Sequence, residues 1–119
     1  MRVLLVEDDP DQLSLRSLLL THSGFECSEA CTVDSALKLV EERSPRCAIV
    51  DLSLPTVSAG LELIRKLRDF DSRLCIVVLT GMDPAGFQKL PEATLVNSLF
   101  TKPFRSAELI ATLKAIASH

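Results

Sequence analysis

The chain lacks any apolar stretch approaching the roughly 20 residues that a membrane-spanning helix requires. Its N-terminus places only four apolar residues, Val3 to Val6, between Arg2 and the acidic Glu7-Asp8-Asp9, too few for the core of a signal peptide. A soluble, cytoplasmic protein without a membrane partner is the default expectation. There is no basic cluster either: 13 Lys and Arg are scattered among 16 Asp and Glu, for a net charge of −3. Direct nucleic-acid binding, which needs a basic face to neutralise phosphates, is not expected. The two histidines, His22 and His119, stand alone, and Cys27, Cys31, Cys47 and Cys75 contain just one close pair. A structural zinc site needs four N or S ligands at recognisable spacing, so all four cysteines read as core or near-core thiols. With only four glycines and no glycine-rich phosphate loop, a P-loop nucleotide site is excluded. Repeats, linkers and low-complexity segments are missing as well.

What remains is a chain of 119 residues, 47% hydrophobic and 24% charged, the size and composition of one globular domain spanning 1–119. Apolar runs that read as strands alternate with helical patterns. The strands are Val3–Val6, Phe25–Ala30, Cys47–Val50, Leu74–Leu79 and Leu95–Thr101. Asp9 and Pro10 open a first helix running to about His22, with Leu13, Leu15, Leu18 and Leu19 for its buried face and Gly24 as its stop. Thr32 or Asp34 opens a second, with Val33, Ala36, Leu37 and Val40 inward, ending before Pro45. A third covers Ala59 to Arg68, with Leu63, Ile64 and Leu67 inward. A weak fourth covers Pro84 to Leu90 and is broken by Pro91, and Ser106 caps a last one bearing Leu109, Ile110, Leu113 and Ile116.

Five strand–helix alternations predict an α/β fold with a doubly wound, five-stranded parallel sheet. The first, third and fourth strands are the most apolar and belong in the middle; the mixed second and short fifth belong at the edges. The order 2-1-3-4-5 satisfies both.

In such a sheet, ligands bind beyond the carboxyl ends of the strands. Asp51 stands there, directly after Cys47-Ala48-Ile49-Val50. Alone it reads more simply as the cap of the following loop. The fold, however, brings Glu7 and Asp8, Thr80 and Lys102 to the same rim, each following a different strand. Three crowded carboxylates resist full ionisation unless a cation sits among them, and hard oxygen donors with room for water suit Mg²⁺. A carboxylate can serve as nucleophile toward phosphorus, with metal, ammonium and hydroxyl stabilising the phosphoryl oxygens. Asp8, Asp51, Lys102 and Thr80 match these parts.

VLLVEDD at the N-terminus, AIVDLSLP around Asp51, VVLTG at Thr80 and FTKPF at Lys102 together resemble the response-regulator receiver domain, across essentially the whole chain. The resemblance implies a flavodoxin-like (βα)5 fold. It implies a phosphoryl group accepted on Asp51 from the phosphohistidine of a histidine kinase or phosphotransfer protein, with Mg²⁺ as cofactor. Carried over, Asp8 binds Mg²⁺ directly, Glu7 through water and Ser53 through its backbone carbonyl, with Asp51 completing the set. Thr80 bonds a phosphoryl oxygen, helped by the Gly81 N–H, and Lys102 pairs with it. Asp9 is set aside as a ligand. Further partners would be a downstream protein target or a covalently linked output domain, the chain itself being a monomer or weak homodimer. No enzyme activity is expected beyond its own phosphorylation and slow dephosphorylation. Either a stand-alone receiver or a piece of a longer regulator or hybrid kinase fits.

Three positions depart from the family pattern. Leu99, three residues before Lys102, stands where the family usually has Tyr or Phe. Pro91 and the Ala93-Thr94-Leu95-Val96-Asn97 segment predict an irregular fourth helix and output face. Gly60 follows Asp51 by nine residues, one more than usual, which predicts a lengthened loop. Two other readings compete. One is a receiver-like docking module that acts without phosphorylation. The other is a Mg²⁺-dependent phosphatase, disfavoured because Ser53 stands where a second acid is needed.

Overall fold

A computed structural model describes all residues 1–119. Five strands, β1 (Arg2–Val6), β2 (Glu26–Ala30), β3 (Cys47–Asp51), β4 (Cys75–Thr80) and β5 (Ser98–Thr101), form one sheet in the order β2-β1-β3-β4-β5, every pair parallel. The predicted order is therefore observed. Burial follows it: every residue of β3 is buried, whereas all four of β5 are only partly so.

Helices α1 (Pro10–His22), α2 (Val33–Arg43), α3 (Val57–Phe70), α4 (Pro84–Gln88) and α5 (Ser106–Ala117) cover both faces. Because strand side chains alternate, the sheet divides by parity. Even-numbered Leu4, Val6, Ala48, Val50, Ile76 and Val78 join Ala36 and Val40 of α2, Leu63, Ile64 and Leu67 of α3, and Phe87 of α4. Odd-numbered Val3, Leu5, Ile49, Val77 and Leu79 join Leu13 and Leu20 of α1 and Leu109 and Leu113 of α5.

Local signals set the helix ends. Asp9 caps α1, accepting from the Asp11 and Gln12 N–H groups with Pro10 first in the helix. Thr32 and Ser35 form a reciprocal capping box on α2, whose end turns through Ser44 at φ 47° before Pro45. Thr56 caps α3 through the Ala59 N–H, so the helix begins at Val57, two residues earlier than the sequence pattern predicts.

Five expectations are corrected. Leu15 and Leu18 are exposed, at 65% and 57%, because α1 seats Leu13, Ser17 and Leu20 instead. Leucines surround so much of that helix that periodicity alone could not choose among them. Ser106 is the first helical residue of α5, not its cap; Arg105 precedes it and makes no side-chain capping bond. β5 starts at Ser98 rather than Leu95, since Pro91–Leu95 winds into a 3₁₀ turn. The Asn97 side chain then completes the edge of β4, its Oδ1 accepting from the Ile76 N–H at 2.8 Å. Cys31 is exposed, just past the end of β2. Finally, α3 extends beyond Arg68 to Phe70.

Candidate functional site

The four strand ends meet at one rim because ladder bonds continue past the strands. Glu7 N–H donates to Ala30 O at 3.0 Å, Leu52 N–H to Leu79 O at 2.9 Å, and Lys102 N–H to Thr80 O at 2.7 Å. The last two bonds hold Asp51, Thr80 and Lys102 side by side, and the pairing of Val6 with Val50 brings Glu7 next to Asp51.

Asp51 is 1% exposed, and a carboxylate that deep must be paired. Lys102 Nζ donates to its Oδ2. Ser53 donates twice to Oδ1, from its backbone N–H at 3.2 Å and its hydroxyl at 2.8 Å. Burial pushes the Asp51 carboxyl up, but bonds from the Glu7 carboxyl, Lys102 and Ser53 together hold it below the usual carboxylate range. It is thus ionised, the form a nucleophile needs.

Glu7, 4% exposed, goes the other way. Burial first, and then Asp51, raise it to about 7, against the opposing pull of Arg16 and Lys102. Its Oε2 has no hydrogen-bond donor. Two facing carboxylates cannot bond each other unless a proton or a cation joins them. Arg16 Nη1 lies 3.9 Å from Glu7 Oε1, beyond hydrogen-bond range, and is unpartnered itself. Its guanidinium rests 5.7 Å over the Phe104 ring.

Asp8 is exposed beside Glu7, while Asp9 is committed to capping α1. Glu7, Asp8, Asp51, Ser53, Lys102 and Arg16 line one depression of about 360 Å³ without an apolar side chain. Thr80 is buried and does not line the depression; its Oγ1 accepts from the Met82 N–H at 3.0 Å. Gly81 is exposed, and a Cβ added to it would touch nothing, so no steric demand selects glycine there. Leu99 sits half-buried against the α2–α3 side of the core, in register with Val78.

No three acidic, His or Cys side chains converge tightly enough to form a ready cation cage. Lys102 neutralises Asp51 instead. The donor set nevertheless fits a hard divalent cation: it consists of carboxylate oxygens, and the buried, unpartnered Glu7 Oε2 is the atom a cation would satisfy.

Sequence reasoning missed Arg16 and the Ser53 hydroxyl. Arg16 carried a readable signal, since positions 13, 16, 17 and 20 share one helical face. It meets Glu7 because Glu7 continues the odd-numbered row that faces α1.

Residues 3–114 match the response regulator receiver domain family. Among curated relatives, the transcriptional regulatory protein PrrA of Mycobacterium leprae is 31% identical over 97% of this chain and 49% of its own length. The regulatory protein VanR of Enterococcus faecium is 33% identical over 96% of this chain and 48% of its own. The chain thus spans about half the length of the curated relatives it matches. A sensor protein from Polaromonas sp. JS666 superimposes with TM-score 0.85 at 34% identity, covering 98% of this chain and 96% of that one. Response regulator TrrA from Thermotoga maritima, solved with Mg(2+)-BeF, gives TM-score 0.85 at 24% identity over 97% of each chain, a likeness of fold. With the order β2-β1-β3-β4-β5 and a family match covering nearly its whole length, this chain belongs to the response regulator receiver domain family.

Proposed function

We propose that this chain accepts a phosphoryl group on Asp51 and uses it to switch protein–protein contacts. The observation that supports this most is a buried, ionised Asp51 paired with Lys102 in the same polar depression as Glu7 and Asp8. The donor is the phosphohistidine of a histidine kinase or phosphotransfer protein. An Asp51 oxygen bonds the phosphorus as the P–N bond breaks, and the electron pair leaves with the imidazole, which takes up a proton. Lys102 then turns from the carboxylate to the phosphoryl oxygens, where its ammonium offsets their charge. Thr80 Oγ1 accepts from Met82 and so keeps its own proton free to donate, and the neighbouring Gly81 N–H is a second donor. Glu7, Asp8, Asp51 and the Ser53 carbonyl would hold Mg²⁺. Bound there, Mg²⁺ supplies positive charge against the phosphoryl oxygens. The contacts that change are with a downstream protein or a linked output domain, the chain acting as a monomer or weak homodimer.

Incubation of wild type with Mg²⁺ and acetyl phosphate should add one phosphoryl group to the intact mass. Asp51→Ala should add none, and Lys102→Ala should be slowed about 10²-fold, as when one charge-stabilising donor is lost. An unmodified wild type overturns the proposal.

Leu99 favours a second reading, a docking module that works without phosphorylation. A half-buried aliphatic side chain stands there in place of the aromatic ring that, in the family the chain resembles, turns inward as the threonine moves on phosphorylation. Calorimetric titration with Mg²⁺ separates the two, because a docking module has no use for the ion and Asp8→Ala would change nothing.

A further inference from the structure

Four odd-numbered or register-matched positions cross the sheet in one row at the end remote from Asp51: Cys27, Val3, Cys47 and Cys75. Cys47 and Cys75 are directly opposed as the first residues of β3 and β4. Neighbouring parallel strands lie about 4.8 Å apart. That spacing falls within the Cα separation of about 4.4–6.8 Å that a disulfide accepts. Both side chains point to the same face of the sheet, into the cluster that includes Leu5, Ile49 and Val77. Cys27 is two strand spacings from Cys47, with Val3 between them, and Cys31 lies beyond the end of β2, so neither competes geometrically.

The two thiols also differ in kind. Cys47 is fully buried, whereas Cys75 keeps contact with solvent. The neighbouring Cys47 thiol, placed to donate to a Cys75 thiolate, is the main influence on Cys75. With help from Arg68 and Arg46 it outweighs burial and lowers Cys75 to about 7. Cys47 is pushed up, by Cys75 and by burial. One cysteine is therefore only partly buried and easily ionised, and its neighbour is protected and protonated. A reactive thiol poised beside a resolving one has these properties.

We infer that Cys47 and Cys75 form a hydroperoxide-sensitive pair that closes to a disulfide between β3 and β4. The Cys75 thiolate attacks one peroxide oxygen; the O–O bond breaks, hydroxide departs, and Cys75 becomes a sulfenic acid. Cys47 then gives up its proton and its sulfur attacks Cys75 Sγ; the S–O bond breaks and the oxygen leaves as water. Two thiols lose two electrons in all, and one hydrogen peroxide is reduced to two waters. Asp51 stands at the opposite end of β3, so the reaction does not depend on phosphoryl acceptance.

The test uses the full chain carrying Cys27→Ser and Cys31→Ser, which leaves only this pair. After brief treatment with hydrogen peroxide, intact mass should fall by two hydrogens, and both thiols should resist alkylation in denaturant. A non-reducing peptide map should show the Cys47 and Cys75 peptides joined, and dithiothreitol should separate them. The rate should climb about tenfold per pH unit below 7 and level off above it, as the thiolate fraction does. In Cys47→Ala, Cys75 should stop at a sulfenic acid that dimedone traps. The inference is overturned if Cys47 stays alkylatable while Cys75 passes to sulfinic acid, or if neither thiol reacts. The mapping of the double variant decides the matter even if Cys47→Ala does not fold.

Discussion

A Cβ placed on Gly60 would stand 2.1 Å from the Leu52 carbonyl oxygen and 2.9 Å from its carbonyl carbon. The first turns of α3 thus lie directly on the backbone that follows Asp51. This contact, rather than any turn, demands glycine nine residues after Asp51. An alanine in a helix is intrinsically better than glycine by about 1 kcal/mol. Here a backbone clash opposes it, and forcing volume into a packed site costs about 1–3 kcal/mol. The clash wins. Gly60→Ala should destabilise the fold by a net of up to about 2 kcal/mol, read as a lower urea midpoint, and slow labelling by acetyl phosphate, since Leu52 and Ser53 must shift. An unchanged midpoint would show that the loop yields freely.

Glu7 makes stability depend on pH when divalent cations are chelated. Its folded value, about 7, lies above its ordinary 4.5, so the folded chain keeps a proton that the unfolded chain has already released. The stabilisation is complete below pH 4.5, declines as pH rises, and is lost above 7. Glu7→Gln has no proton to lose. The stability of wild type relative to that variant should therefore fall between pH 4.5 and 7 in EDTA, and Mg²⁺ at pH 8 should raise the wild type more than the variant. Parallel pH curves for the two proteins would contradict this assignment.

Ser53 and Met82 bear on how long a phosphoryl group would persist. Ser53 is committed to Asp51 Oδ1 through its hydroxyl, and Met82 offers no acid or amide with which to orient a water. Self-dephosphorylation should be slow to moderate, with a half-life of minutes or longer in Mg²⁺ at neutral pH. Timed mass spectrometry after removal of acetyl phosphate measures it directly, and decay within seconds would refute the argument.

Arg68 ties α3 to the irregular segment before β5. Its guanidinium donates to Leu74 O at 2.6 Å, Leu95 O at 2.7 Å and Asn97 Oδ1 at 3.0 Å, with weaker bonds to Asp71 O and Ser72 O. Bonds to a charged donor contribute about 1.5–3 kcal/mol each when isolated, though bonds shared by one side chain do not add fully. Arg68→Ala should cost about 2–4 kcal/mol by the same measure. Arg68→Lys should recover less than half, because an ammonium cannot fork between the Leu74 and Leu95 carbonyls as a guanidinium does. Full recovery by lysine would mean that only the charge matters.

Strand order and the acidic rim were legible because each rests on local, periodic signals. Apolar runs such as Cys47–Val50 mark central strands, Asp9-Pro10 marks a helix start, and parallel connections bring the residues after each strand to one edge. The four motifs around Asp8, Asp51, Thr80 and Lys102 named the family for the same reason: they are short and contiguous. Matters that depend on which side chain meets which across the fold were not legible. Leucines on nearly every side of α1 left its rotation open until the sheet chose Leu13 and Leu20 and turned Leu15 and Leu18 to solvent. β5 starts late because Pro91–Leu95 winds into a 3₁₀ turn, and the long-range bond from the Ile76 N–H to Asn97 Oδ1 that follows is one no local pattern announces. Asp51 itself shows the division. The sequence alone determined that a carboxylate ends a central strand. Only the tertiary structure decided that it is buried and ionised, because that state depends on Lys102 and Glu7 reaching it from two distant segments while Ser53 bonds it from its own loop.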